Sequence, residues 1–221
     1  MGTLAVETEI ACSETYLRLG LGESRKGSTE NPRVLSYLSS LLERSVQKNE
    51  SFLETTHTKD VITIFHGSKA PSLGIGQYID RIFKYSCCSP SCFIVAHIYM
   101  ERFIQCTHAI LTSLNVHRLL ITSVMVAAKF IDDAFFSNAH YARVGGVSTL
   151  ELNKLEMEFL FGLDFRLHVN IDTFGKYCVL LEKEGSGGLQ IERSIQTCGL
   201  KGNWPNEEDS TCATIARLRF S

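Results

Sequence analysis

Cys87, Cys88, Cys92 and His97 are the first residues to test for chemistry, because thiolates and imidazole are the ligands of structural zinc. Such sites show paired ligands at short spacing and a second pair well separated. No second Cys-x-x-Cys pair follows here, and Cys88, Cys92 and His97 fall on or beside one helix. The cluster therefore reads as buried thiols at a helix start, and no metal or other cofactor is expected. Asp132-Asp133 and Glu207-Glu208-Asp209 could be cast as acid–base or metal carboxylates. The first follows a helix end and the second lies in a polar tail, so both read as solvated loop charge. The chain has no phosphate-cradling Gly-rich signature, no zinc-protease His pair and no nucleophile elbow. These absences argue against an enzyme and against a small-molecule substrate.

Three charged residues sit inside apolar runs. Arg81 lies within Tyr78–Tyr85, Glu101 within Ile98–Phe103 and Lys129 within Val126–Phe130. A buried charge is costly unless it is paired or delivered to a partner. Lys129 also fits a second reading, in which its stem lies on apolar surface and its ammonium reaches water near a helix end. On the residues alone both readings stand.

The elements that must position these residues are helical. Asn31-Pro32 has the form of a cap followed by a first-turn proline, opening a helix to about Asn49. Residues 50–76 are punctuated by Gly67, Pro71, Gly74 and Gly76 and read as an irregular connection. A short dense helix follows over Tyr78–Tyr85, and Ser89-Pro90 opens another from Ser91 to about Thr107. Asn115 is a fitting cap for a helix to about Asp132. That helix is apolar nearly all round and so belongs at the centre of a bundle. Residues 137–147 read as a loop or short helix ending in Gly145-Gly146. Ser148 and Glu151 then have capping-box spacing before Leu152, Leu155, Phe159 and Leu163. No segment alternates with period two, so the fold class is all-α: a single helical bundle with an N-terminal helix and flexible tails.

Length and composition bound the rest. The sequence has 221 residues, 44% hydrophobic and 21% charged, with a formal net charge of -2. That suits one domain, expected over 31–184, with a flexible leader at 1–30 and a Gly-Ser-Gly-Gly-led tail at 185–221. A near-neutral chain offers no basic face for nucleic acid or anionic membrane. Met1–Ile10 does not read as a secretory signal. The longest apolar run, Leu119–Ile131, falls short of the roughly 20 residues a bilayer span needs. The eight Cys therefore read as reduced thiols of an intracellular protein, in nucleus, cytoplasm or both.

Taken together, these stretches resemble a cyclin box. Arg81 resembles the arginine of the first box helix, and Glu101-Arg102-Phe103 the acidic-Arg-Phe element of the second. Ala127-Ala128-Lys129-Phe130 before Asp132-Asp133 resembles the end of the third. Leu155-Glu156, then Leu160, Leu163 and Phe165, resemble the last. The box core runs from about 71 to 167. Phe65-His66-Gly67, Cys88–Cys92, Asn115–Leu120 and Tyr141–Ser148 make the chain most similar to plant P-type (U-type) cyclins, related to yeast phosphate-signalling cyclins. Glu101 stands where many cyclins have Asp, residues 104–113 lack the usual charges, and no second box is visible.

The resemblance implies a regulatory subunit, not an enzyme. It would bind and activate a cyclin-dependent protein kinase in cell-cycle or nutrient (phosphate) signalling. It implies that Lys129 and Glu156 hydrogen-bond the ends of a kinase segment, and that Phe130, Leu160, Phe165 and Leu167 line an apolar groove for it. It also implies a buried ion pair between Arg81 and Glu101. The competing function is a cyclin-fold transcription-factor module binding nucleic acid, which would need clustered Lys and Arg on one face.

Overall fold

A computed structural model describes residues 14–21, 31–57 and 59–185. Its helices are α1 (residues 14–19), α2 (Arg33–Thr56), α3 (Ile75–Ser86), α4 (Pro90–Thr107), α5 (Val116–Ile131), α6 (Asn138–Gly145), α7 (Thr149–Gly162) and α8 (Ile171–Gly185). No strand occurs among the described residues, so the chain is all-α. Every residue from Leu119 to Ala128 of α5 is buried, as its lack of a polar face requires. The same is true of Cys92–Glu101 in α4, which reaches the centre beside α5. Around this pair, α2 covers α3, α4 and α8, while α6 and α7 close the opposite flank.

The helix starts follow local chemistry. Pro90 occupies the first turn of α4 after the cap Ser89. Ser148 accepts the backbone N–H of Glu151 at 3.0 Å, and Glu151 turns its carboxylate to Arg118 instead of closing the box. Gly146, at φ 73, ends α6 in the left-handed conformation that glycine adopts without strain. A Cβ at Gly162 would overlap the Phe103 ring, so α7 approaches α4 more closely there than any other residue type permits.

Several expectations are corrected. The cap of α2 is Pro32, because the Asn31 side chain instead donates to Asp80 at 2.8 Å. That helix also runs one to two turns past Asn49, which is itself buried and donates to the Leu111 carbonyl at 2.9 Å. Residues 14–21 are not a structureless leader: Leu19 is fully buried, Thr15 and Arg18 bond Glu182, and the Tyr16 ring meets Phe174. Helix α8 had no sequence signal strong enough to be singled out. Residues 1–13, 22–30 and 186–221, with Cys12, Cys198, Cys212 and Glu207-Glu208-Asp209, lie outside the described residues.

Arg81 and Glu101 do not form an ion pair. The buried stripe of α3 is Ile75, Tyr78, Ile79, Ile82 and Ser86, which leaves Arg81 on the outer face, donating to the Arg143 carbonyl at 3.3 Å. Glu101 is buried and accepts from the Tyr177 hydroxyl, with His97 Nε2 at 3.5 Å. Burial holds His97 below the ordinary imidazole value, against the pull of the Glu101 charge.

Asp132 is likewise not solvated loop charge. It accepts from Ser89 N at 2.9 Å, Ser89 Oγ at 2.7 Å and Cys92 Sγ at 3.2 Å, tying the end of α5 to the start of α4. A hydrogen bond with Cys88, and then burial, push the Cys92 thiol far up, so it stays protonated and donates. Cys88 and Cys92 are buried thiols, whereas Cys87 is exposed. Among the described residues no group of three or more His, Cys, Asp and Glu is placed to hold a metal ion. No described helix is long and apolar enough to cross a membrane.

Candidate partner-binding site

Lys129 is in the last turn of α5, and Glu156 is in the middle of α7. The packing of α5 on α7 brings them together, with Lys129 Nζ 2.6 Å from Glu156 Oε1. Their side chains retain 26% and 16% exposure, so the pair is neither buried nor fully hydrated. Asn138, the first residue of α6, completes the cluster. Its Oδ1 accepts from Lys129 Nζ at 2.5 Å, and its Nδ2 donates to Glu156 Oε2 at 2.6 Å and Asn153 Oδ1 at 2.8 Å. Lys129 is thus paired and does not simply reach for water.

Apolar surface flanks this polar cluster. Phe130 follows Lys129 and is 51% exposed, and Phe165 beyond α7 is 45% exposed. Phe130 and Leu167 line a groove of about 420 Å³ together with Ile131, Val169, Ile171 and Phe174, and Tyr16 of α1 stands at its wall. Leu160 and Phe165 lie outside that cavity. Leu160 is half-buried against the core, and Phe165 packs edge-on to Phe161 at 5.4 Å.

The connector after α7 is held in an unusual shape. Asp164 and Phe165 both adopt left-handed backbone, at φ 51 and 56. Asp tolerates this; an aromatic residue pays of order 1–2 kcal/mol. Helix α4 supplies the restraint. Tyr99 donates its hydroxyl to the Leu167 carbonyl at 2.6 Å, and Arg102 Nη1 donates to the carbonyls of Arg166 at 2.8 Å and His168 at 3.0 Å. These bonds present Phe165 outward and turn Leu167 into the groove. Burial pushes the Tyr99 hydroxyl up, so it remains a donor at any physiological pH.

Sequence reasoning missed Tyr16, Ile171 and Phe174 because they come from elements it did not resolve. It also missed Asn138, whose type carries no charge to flag it. The arrangement is a fixed polar pair beside exposed aromatic surface, able to offer hydrogen bonds and apolar contact to another chain.

The family profile described as Cyclin matches residues 32–167. Cyclin-P3-1 of Oryza sativa subsp. japonica is 59% identical over 198 residues, spanning 89% of this chain and 84% of that one. Cyclin-U3-1 of Arabidopsis thaliana is 51% identical over 221 residues, 98% of this chain and 100% of its own. Cyclin-U4-1 of the same plant is 51% identical over 160 residues, 70% of this chain and 79% of its own.

Proposed function

The chain belongs to the cyclin family, in its plant P- and U-type group, and we propose that it is the regulatory subunit that binds and switches on a cyclin-dependent protein kinase. By family it is a regulatory and not a catalytic protein, with a kinase as the general class of partner. The observation that carries the specific reading is the Lys129–Glu156 pair, held partly exposed beside the outward Phe130 and Phe165. Folding alone does not require large aromatic side chains to stand in water next to a fixed donor–acceptor pair. A partner helix with an apolar face and a free backbone terminus would cover both features.

Kinase catalysis requires the strand lysine paired with the glutamate of helix C, and the position of that helix sets the pairing. A subunit that packs on helix C and holds it inward shifts the kinase population toward its active state. Cell-cycle or phosphate signalling, in nucleus, cytoplasm or both, is the setting we assign to this activity.

The test is titration of the chain against purified plant cyclin-dependent kinases, with histone phosphorylation as the activity readout. Lys129→Ala and Glu156→Ala should each weaken binding about tenfold or more, equivalent to about 1.4 kcal/mol, with helical circular dichroism intact. A folded double variant that binds and activates as wild type does would remove the pair from the interaction. Absence of binding by wild type to every kinase tried would leave membership of the family without this activity.

A further inference from the structure

The polar pair has a third member that the family resemblance did not supply. Resting on the kinase-binding reading above, we propose that Asn138 is the positioning residue that sets Lys129 and Glu156 for one peptide group of the partner. An asparagine carboxamide carries two N–H donors and an acceptor oxygen. Here both roles face ions: Oδ1 meets the Lys129 ammonium at 2.5 Å, and Nδ2 meets the Glu156 carboxylate at 2.6 Å. Flipping the amide would set NH₂ against the ammonium and oxygen against the carboxylate, so the orientation follows from charge. Aspartate at this position would repel Glu156, lysine would repel Lys129, and alanine would satisfy neither.

Counting donors shows what remains for a partner. The ammonium has three N–H bonds, of which Asn138 and Glu156 take two. The carboxylate receives Lys129 on Oε1 and Asn138 on Oε2, and each oxygen keeps a lone pair. One N–H and one carboxylate edge are thus left, which is the complement of one carbonyl and one N–H at the end of a peptide segment. Lysine and glutamate side chains are long and rotamer-rich, and ordering them is a main cost of using them in an interface. Asn138 meets that cost before the partner arrives. It can do so because it sits in the first turn of α6 and is anchored to α7 through Asn153 Oδ1 at 2.8 Å.

A residue that merely rivets α6 to α7 would predict different behaviour, and the experiment separates the two. Wild type, Asn138→Ala, Asn138→Asp, Lys129→Ala and the Lys129→Ala/Asn138→Ala double variant are titrated against a purified plant cyclin-dependent kinase, with thermal melting alongside. Asn138→Ala is expected to weaken binding about tenfold, and clearly less in the Lys129→Ala background, because part of its effect runs through Lys129. Asn138→Asp keeps the shape. It should bind about tenfold worse than wild type at pH 7.5, because it replaces the N–H donor to Glu156 with a second carboxylate. Losses that add in full to those of Lys129→Ala, an Asn138→Asp variant that binds as wild type does, or an Asn138→Ala variant that binds normally would each overturn the proposal. A wild-type chain that binds no kinase would overturn the kinase reading and this inference with it. A wild type that binds beside an Asn138→Ala that binds equally well removes the inference alone.

Discussion

Glu101 is the most enclosed carboxylate of the core, and its neighbours are Tyr177 and His97, not the arginine that family resemblance implied. Removing it takes away an acceptor of the partly buried Tyr177 hydroxyl, and a bond of that charged kind is worth about 1.5–3 kcal/mol. Arg81 is exposed, with one long contact to a carbonyl, and surface substitutions of that type stay within about 0.5 kcal/mol. Glu101→Ala should therefore lower the denaturation midpoint clearly and Arg81→Ala barely. Their double variant should equal the sum, because the sites share no bond. Urea titration of the four proteins checks this. A coupling energy of 1 kcal/mol or more, far above the usual error of additivity, would restore the ion pair.

At the scale of elements, α1 presents the sharper question. Six helical residues cannot hold their conformation by propensity, since isolated helices shorter than about 12–15 residues are marginal. Docking supplies the stability through the buried Leu19, the Glu182 bonds to Thr15 and Arg18, and the Tyr16–Phe174 contact. Arg18 and its hydrogen bond hold the Glu182 carboxyl below its ordinary range, so that latch weakens as pH falls into the acid region. Leu19→Ala should cost the docking about 2–4 kcal/mol. Hydrogen exchange should then show amides of residues 14–21 losing protection while those of α4 and α5 keep theirs. Uniform loss across the bundle would mean that α1 is part of the cooperative core and not a docked appendage.

For the whole molecule, the informative feature is where apolar surface is left over. Central α4 and α5 bury their side chains almost completely, yet Phe130 and Phe165 remain about half exposed beside a groove of about 420 Å³. On the reading proposed above, this apolar surface and the ordered polar pair beside it form the kinase interface. Phe130→Ala and Phe165→Ala should change folding stability by less than about 1 kcal/mol. Each should weaken kinase binding by about 2 kcal/mol, the scale of an aromatic anchor. Melting curves and kinase titrations on the same samples check both halves. Large stability losses with binding unchanged would make the aromatics core residues and move the interface elsewhere.

The sequence by itself determined the features that neighbouring residues encode. Ser148-x-x-Glu151 and Gly146 punctuate helices because caps and turns are satisfied within a few residues, and Pro90 because its fixed φ suits a first turn. The unbroken apolar circumference of α5 placed it at the centre for the same local reason. The Lys129–Glu156 pairing was not local in this way: the resemblance named each residue for a partner, and only the packing of α5 on α7 joins side chains 27 positions apart. The exposure of Arg81 follows from the 3.6-residue stripe of α3, which passes it by, whereas its place inside an apolar run had suggested burial. What only the tertiary structure decided is which distant side chains meet. Glu101 finds Tyr177 from 76 positions away, Ser89 finds Asp132 from 43, and Thr15 finds Glu182 from 167. Such pairings depend on how helices are rotated and offset against one another. That is fixed by the summed packing of many core side chains, and no short stretch of sequence contains it. Asn138 belongs to this second kind: a neutral residue at a helix start becomes the link between two ions only once α5, α6 and α7 converge.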